Sequence, residues 1–190
     1  MTAPLTGFTT SLPSDVLLDS GVLYLGATVF GAFKGGLKFD PGITYRNVDF
    51  DGKRTMMKGL DIKTQTAPKI SGTVITLTTA QVVQIDAGAD VNATGGWVGA
   101  TSSYAPQKAG SLLVAGDYVT SARCIWLRGD NSYVSVRFPS GLITKYDIAS
   151  QDGAEVSINI EIEARLDTSW AGYTGVGDVP YRIEYLSALT

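Results

Sequence analysis

The chain has 190 residues (20.1 kDa), with 44% hydrophobic and 17% charged residues, 22 glycines, one cysteine and no histidine. Without histidine there is no Ser-His-Asp or Cys-His catalytic pair and no His-ligated metal, and Cys124 alone makes neither an internal disulfide nor a cysteine cluster. Glycine well above the usual ~7%, a net charge of −3 and a pI of 4.9 describe one β-rich domain with tight turns, not built to condense on phosphate backbones.

Taken in chain order, residues 1–13 hold no Lys or Arg and no apolar core, so they read as a flexible arm rather than a secretory signal. The longest near-apolar run, residues 22–33, falls short of the ~20 residues that span a bilayer. Residues 16–19, 37–39, 43–50, 59–66 and 70–78 are strand-like, punctuated at Pro41-Gly42 and Asp51-Gly52. Thr78-Thr79-Ala80-Gln81 fits a capping box, Val82 and Ile85 share a face and Gly88 supplies a stop, which predicts one short helix. Residues 88–110, rich in Gly, Ala, Ser and Thr, read as a long surface loop. Residues 118–128 and 133–138 flank Gly129-Asp130-Asn131 as a hairpin, and Pro139-Ser140-Gly141 predicts a second turn into 142–148. The clearest signal is 155–166, where Val156, Ile158, Ile160, Ile162, Ala164 and Leu166 alternate with polar residues. Residues 181–186 read as a terminal strand added to a neighbour.

Charge is uneven along the chain. Residues 34–69 contain eight basic residues against four acids, a local balance of +4, so the remainder sums to −7. Such a division serves either solvated strand faces that discourage edge-to-edge aggregation or complementary surfaces that steer like molecules into head-to-tail stacks.

Few motifs carry chemistry. Asp49-Phe50-Asp51-Gly52 opens like a calcium loop, but Lys53 and Leu60 stand where ligands are required. Glu161 and Glu163 share a strand face and would be the carboxylates of a His-free hydrolase, although solvent-facing acids two apart are ordinary. Arg128-Gly129-Asp130 is an adhesion-type triplet made of common hairpin residues. Asn92-Ala93-Thr94 is a sequon that means nothing without secretion. Trp97, Trp126 and Trp170 are candidates for a stacking platform, which makes a monomeric β-sandwich carbohydrate-binding or adhesion module the alternative reading.

Gly35-Gly36-Leu37-Lys38-Phe39-Asp40-Pro41-Gly42, followed by Tyr45-Arg46-Asn47-Val48, Asp51-Gly52-Lys53-Arg54 and Lys58-Gly59-Leu60-Asp61, resembles the N-terminal half of the major tail (tail tube) proteins of long, non-contractile bacteriophage tails. Ile70-Ser71-Gly72-Thr73-Val74-Ile75, the stretch 137–147 read as a hairpin and Glu161-Ile162-Glu163-Ala164-Arg165 resemble that family's second sheet, so the likeness spans roughly residues 14–167. The resemblance implies a mainly β fold, a small antiparallel β-sandwich or barrel with one flanking short helix and extended arms at 1–13 and 168–190. It further implies six copies per ring, rings stacked into a tube, no enzymatic activity, and no metal or cofactor. The implied partners are other copies of the chain, tail tip, tape-measure or terminator proteins, and double-stranded DNA passing through without specific binding. The implied location is the virion tail, after synthesis in the host cytoplasm and without membrane insertion. By the same resemblance, Arg46, Asp49, Asp51, Lys53, Arg54 and Lys58 contact the adjacent ring.

Overall fold

The computed structural model describes residues 17–31, 33–48, 55–56, 58–76, 85, 90–91, 104–105, 110–149, 156–169 and 179–188. In chain order the strands are β1 (Leu17–Leu25), β2 (Thr28–Val29), β3 (Phe33–Asp40), β4 (Ile43–Asn47), β5 (Asp61–Thr66), β6 (Lys69–Val74), β7 (Asp90–Val91), β8 (Tyr104–Ala105), β9 (Val119–Arg128), β10 (Tyr133–Ala149), β11 (Ser157–Arg165) and β12 (Arg182–Leu186). The fold is mainly β and its ladders are antiparallel.

The period-two stretch becomes β11, with Ile158, Ile160, Ile162 and Ala164 buried and the intervening Asn159, Glu161, Glu163 and Arg165 half-buried. Alternation of this kind is what a sheet with one dry face demands. The main sheet runs β2-β1-β9-β10-β11-β6-β3, with β12 also on β10. Its two ends, β2 and β3, are separated by residues 30–32 only. The Phe30 amide donates to the Leu23 carbonyl at 2.8 Å, and β3 packs against β1. The sheet therefore curls so that its two ends lie near each other, with no ladder joining β3 to β1 or β2 among the described residues. Inside lie Leu23, Phe30, Ile70, Val74, Phe138 and Ile162, and Phe39 tilts against both Phe138 (6.2 Å between ring centroids) and Tyr181 (5.3 Å).

The structure corrects several expectations. Pro139-Ser140-Gly141 is not a turn: β10 runs through it as one strand of 17 residues. Proline is tolerated there because residue 139 has no ladder partner: β12 pairs only as far as Arg137, β11 begins at Ser140, and the β9 register passes from Phe138↔Ala122 to Ser140↔Thr120. The near-apolar run is absorbed into β1, β2 and Phe30. Of the predicted helix, Ile85 is helical and buried in the core, and its immediate neighbours lie outside the described residues. The predicted 88–110 loop contains a short ladder, Asp90↔Ala105 and Val91↔Tyr104. The terminal strand does add to a neighbour, which is β10 of the same chain.

Candidate assembly surfaces

Two parts of the curled sheet extend past its body. The first begins where the β3–β6 ladder ends at Asp40↔Lys69 and a separate two-stranded ribbon, β4–β5, continues from Ile43↔Thr66. The junction depends on Gly42. Its amide donates to Asp40 Oδ1 at 2.9 Å, its carbonyl accepts from the Ala67 amide at 3.0 Å, and its φ of +54° is left-handed. A Cβ at this position would lie 2.0 Å from the Ala67 carbonyl oxygen, so only glycine fits. Further out, Asn47 Nδ2 donates to Asp61 Oδ1 at 2.7 Å and the Val48 amide to the Leu60 carbonyl at 2.8 Å.

The ribbon is wet on both faces. Every β5 residue except Thr66 is exposed, and so are Thr44, Tyr45 and Arg46 of β4. Cross-strand register sets Arg46 beside Ile62 and Tyr45 beside Lys63. Tyr45 is 62% exposed, and Met56, towards the tip, 82%. Of the residues that the resemblance assigns to an inter-ring contact, Arg46 and Lys58 are exposed on this ribbon and near its tip. Asp49, Asp51, Lys53 and Arg54 lie outside the described residues. Sequence reasoning picked out the charges here and missed Tyr45 and Ile62, whose exposure follows only from the register.

The second surface is the far half of the β10–β11 hairpin. Pairing of β10 with β9 stops at Gly141, while pairing with β11 continues to Ala149. Among the described residues, no strand occupies the β9 side of residues 142–149. Tyr146 and Ile148 oppose the buried Ile160 and Ile158, yet are themselves exposed, as is Val156. The core face thus runs on into solvent.

The other candidate residues are accounted for structurally. Lys69 Nζ bridges Glu161 (2.9 Å) and Glu163 (3.1 Å), and Arg165 Nη1 meets Glu163 at 2.8 Å. Hydrogen bonds from Lys69 and then Arg165 hold the Glu163 carboxyl below its usual range, and those two carboxylates in turn raise Lys69. The pair is a structural ion cluster at the base of the ribbon. Arg128-Gly129-Asp130 is a hairpin turn: the Asn131 amide donates to the Arg128 carbonyl at 3.0 Å, and Asp130 accepts from the Ser132 amide at 3.0 Å. Trp126 packs on the core, and a Cβ at Gly21 would lie 2.7 Å from its Nε1. Trp97, Trp170 and Asn92 lie outside the described residues. Burial alone pushes the Cys124 thiol far up. Among the described residues no three His, Cys, Asp or Glu side chains cluster as metal ligands.

Compared with known proteins, the chain matches no family model and no curated protein.

Proposed function

We propose that this chain is a structural virion protein, the subunit of a phage tail tube that stacks as hexameric rings into a conduit for genome delivery. The observation that carries the reading is the β4–β5 ribbon, exposed on both faces with Tyr45, Ile62 and Arg46 in solvent. Two-stranded ribbons are marginal by themselves in water, so one that leaves its own sheet with apolar residues uncovered is suited to a partner. A contact between this ribbon and a different surface of a second copy is heterologous and repeats along an axis, which generates rings or filaments. The +4 segment from 34 to 69 against −7 elsewhere gives such stacking its electrostatic complement. On this reading the curled sheet is the family's sandwich or barrel, the chain performs no catalysis and needs no cofactor, and double-stranded DNA passes through unbound. Tail tip, tape-measure and terminator proteins set the ends of the tube.

Negative-stain micrographs and light scattering of the full chain across concentration and salt test the proposal. Hollow rings or tubes are expected for the wild type. Tyr45→Ser with Ile62→Ser, and separately Arg46→Glu, should prevent stacking while circular dichroism stays native. Unchanged assembly in both variants refutes the ribbon's role, and a wild type that stays monomeric while binding glycans saturably overturns the assignment in favour of a binding module.

A further inference from the structure

One edge of the main sheet lies in solvent. Pairing of β10 with β9 ends at Gly141, pairing with β11 runs to Ala149, and no strand among the described residues lies along 142–149 on the β9 side. Thr144, Lys145, Tyr146, Ile148 and Ala149 are exposed, and Asp147 is half-buried. Such an edge offers unpaired N–H and C=O groups to an extended chain laid beside it.

The side chains decide which chain fits. Lys145 and Asp147 oppose Glu161 and Asn159 and stand on the outer face, whereas Tyr146 and Ile148 oppose Ile160 and Ile158 and stand on the core face. Residues paired across antiparallel strands have Cβ atoms about 4.5–5.5 Å apart, where opposite charges attract and like charges repel. This edge meets those demands for a second copy of itself. Antiparallel pairing about Tyr146 sets Lys145 of each copy opposite Asp147 of the other, and the two Tyr146 rings opposite each other on the core face. Sliding by two residues instead sets Lys145 against Lys145 or Asp147 against Asp147. Sliding by one sets a charge against Tyr146 and swaps the faces.

Both charges are open to such a partner. The Lys145 side chain is 67% exposed, with Nζ 3.9 Å from Asp147 Oδ1 of its own strand, and the Glu161 carboxylate beside it is held by Lys69 at 2.9 Å. Asp147 Oδ2 accepts from Asn159 Nδ2 at 2.9 Å, which fixes the carboxylate on the outer face.

We propose that the 142–149 edge of β10 is a docking surface for a second copy of this chain, paired antiparallel about Tyr146 across a two-fold axis. The contact uses the same patch on both copies, so it closes at a dimer. It continues the sheet from one copy into the other and covers Tyr146 and Ile148. None of the ribbon's residues takes part, so the dimer stands or falls independently of the tube reading.

Sedimentation equilibrium of the full chain carrying Tyr45→Ser and Ile62→Ser, the substitutions expected to prevent stacking, tests the contact. The chain should pass from monomer to dimer as concentration rises. Lys145→Asp makes both cross-strand charge pairs repulsive and should weaken dimerisation about tenfold or more. Adding Asp147→Lys should restore it, because the exchange again sets opposite charges across the axis. Tyr146→Glu puts like charges opposite each other on an exposed side chain, and it serves as the probe if circular dichroism shows that Lys145→Asp fails to fold. A chain that is monomeric at every concentration, or a dimer as strong in Lys145→Asp and Tyr146→Glu as before, overturns the proposal. A dimer weakened by Lys145→Asp and not restored by the exchange overturns the register about Tyr146.

Discussion

Gly42→Ala tests how the ribbon is aimed. Gly35 is the natural control, because it too has a left-handed φ, +79°, but a Cβ there would meet nothing within 4 Å. Both substitutions carry the intrinsic cost of an L-residue in that region, about 1–2 kcal/mol. Gly42→Ala adds a contact of 2.0 Å to the Ala67 carbonyl oxygen, a backbone atom that cannot rotate away. Relief requires Ala67 to move, and with it goes the 3.0 Å hydrogen bond from its amide to the Gly42 carbonyl. Losing one such bond costs about 0.5–1.5 kcal/mol. Gly42→Ala should therefore destabilise by roughly 2–3 kcal/mol and Gly35→Ala by about 1–2 kcal/mol. Urea unfolding gives the totals, and hydrogen exchange at the Ala67 amide locates the damage, with protection lost in Gly42→Ala alone. Equal stability losses, or an Ala67 amide protected as in the wild type, would refute the claim that this corner sets the ribbon's direction.

Glu163 is depressed by Lys69 and Arg165, so its contribution to stability is present above the usual glutamate range and is lost as pH falls through the lowered pKa. Glu163→Gln should flatten the acid limb of a pH–stability curve measured by urea midpoints, and a limb as steep as the wild type's would contradict the cluster. Truncating the fully buried Phe138 to alanine should cost about 3–5 kcal/mol by thermal or urea unfolding, since its ring meets Phe39 in the core. Cys124 is fully buried with its thiol pushed far up, so native protein should not react with a thiol reagent at neutral pH, whereas urea-unfolded protein should react fully.

How far the sequence could be read depended on whether a residue's environment was local. Strand β11 was visible from its alternation because one face is buried and the other is not. Strand β5 carries no such signal, since nearly all of it is exposed and there is no core to point towards. Its trace in the sequence is strand-like composition over 59–66 after the turn residues Asp51-Gly52. Pro139 misled for the opposite reason: proline usually breaks a ladder, but here the ladder partners change at that residue, a fact set by the distant chain ends of β11 and β12. The basic run 34–69 contains the ribbon without revealing it, and Tyr45 and Ile62 look ordinary until pairing leaves them uncovered. Lys145 and Asp147 look like ordinary strand charges, and only the end of the β9 ladder at Gly141 shows that they lie on an open edge.

The ribbon differs from a surface loop in how it is rooted. Its two strands are the outward continuations of β3 and β6, both members of the curled sheet. On the β3 side, Phe39 lies against Phe138 and Tyr181 one residue before the corner begins. On the β6 side, Lys69 is tied to Glu161 and Glu163 of β11 directly after Pro68, whose carbonyl accepts from the Ala164 amide at 2.9 Å. The base of the ribbon is therefore held by core aromatics on one strand and by an ion cluster on the other. Association through a segment anchored at its base loses less conformational entropy than association through a free loop. In the tube proposed for this chain, that anchoring would set the angle between successive subunits. The Gly42 corner and the Lys69 cluster would then affect assembly strongly even though neither needs to touch the neighbouring copy.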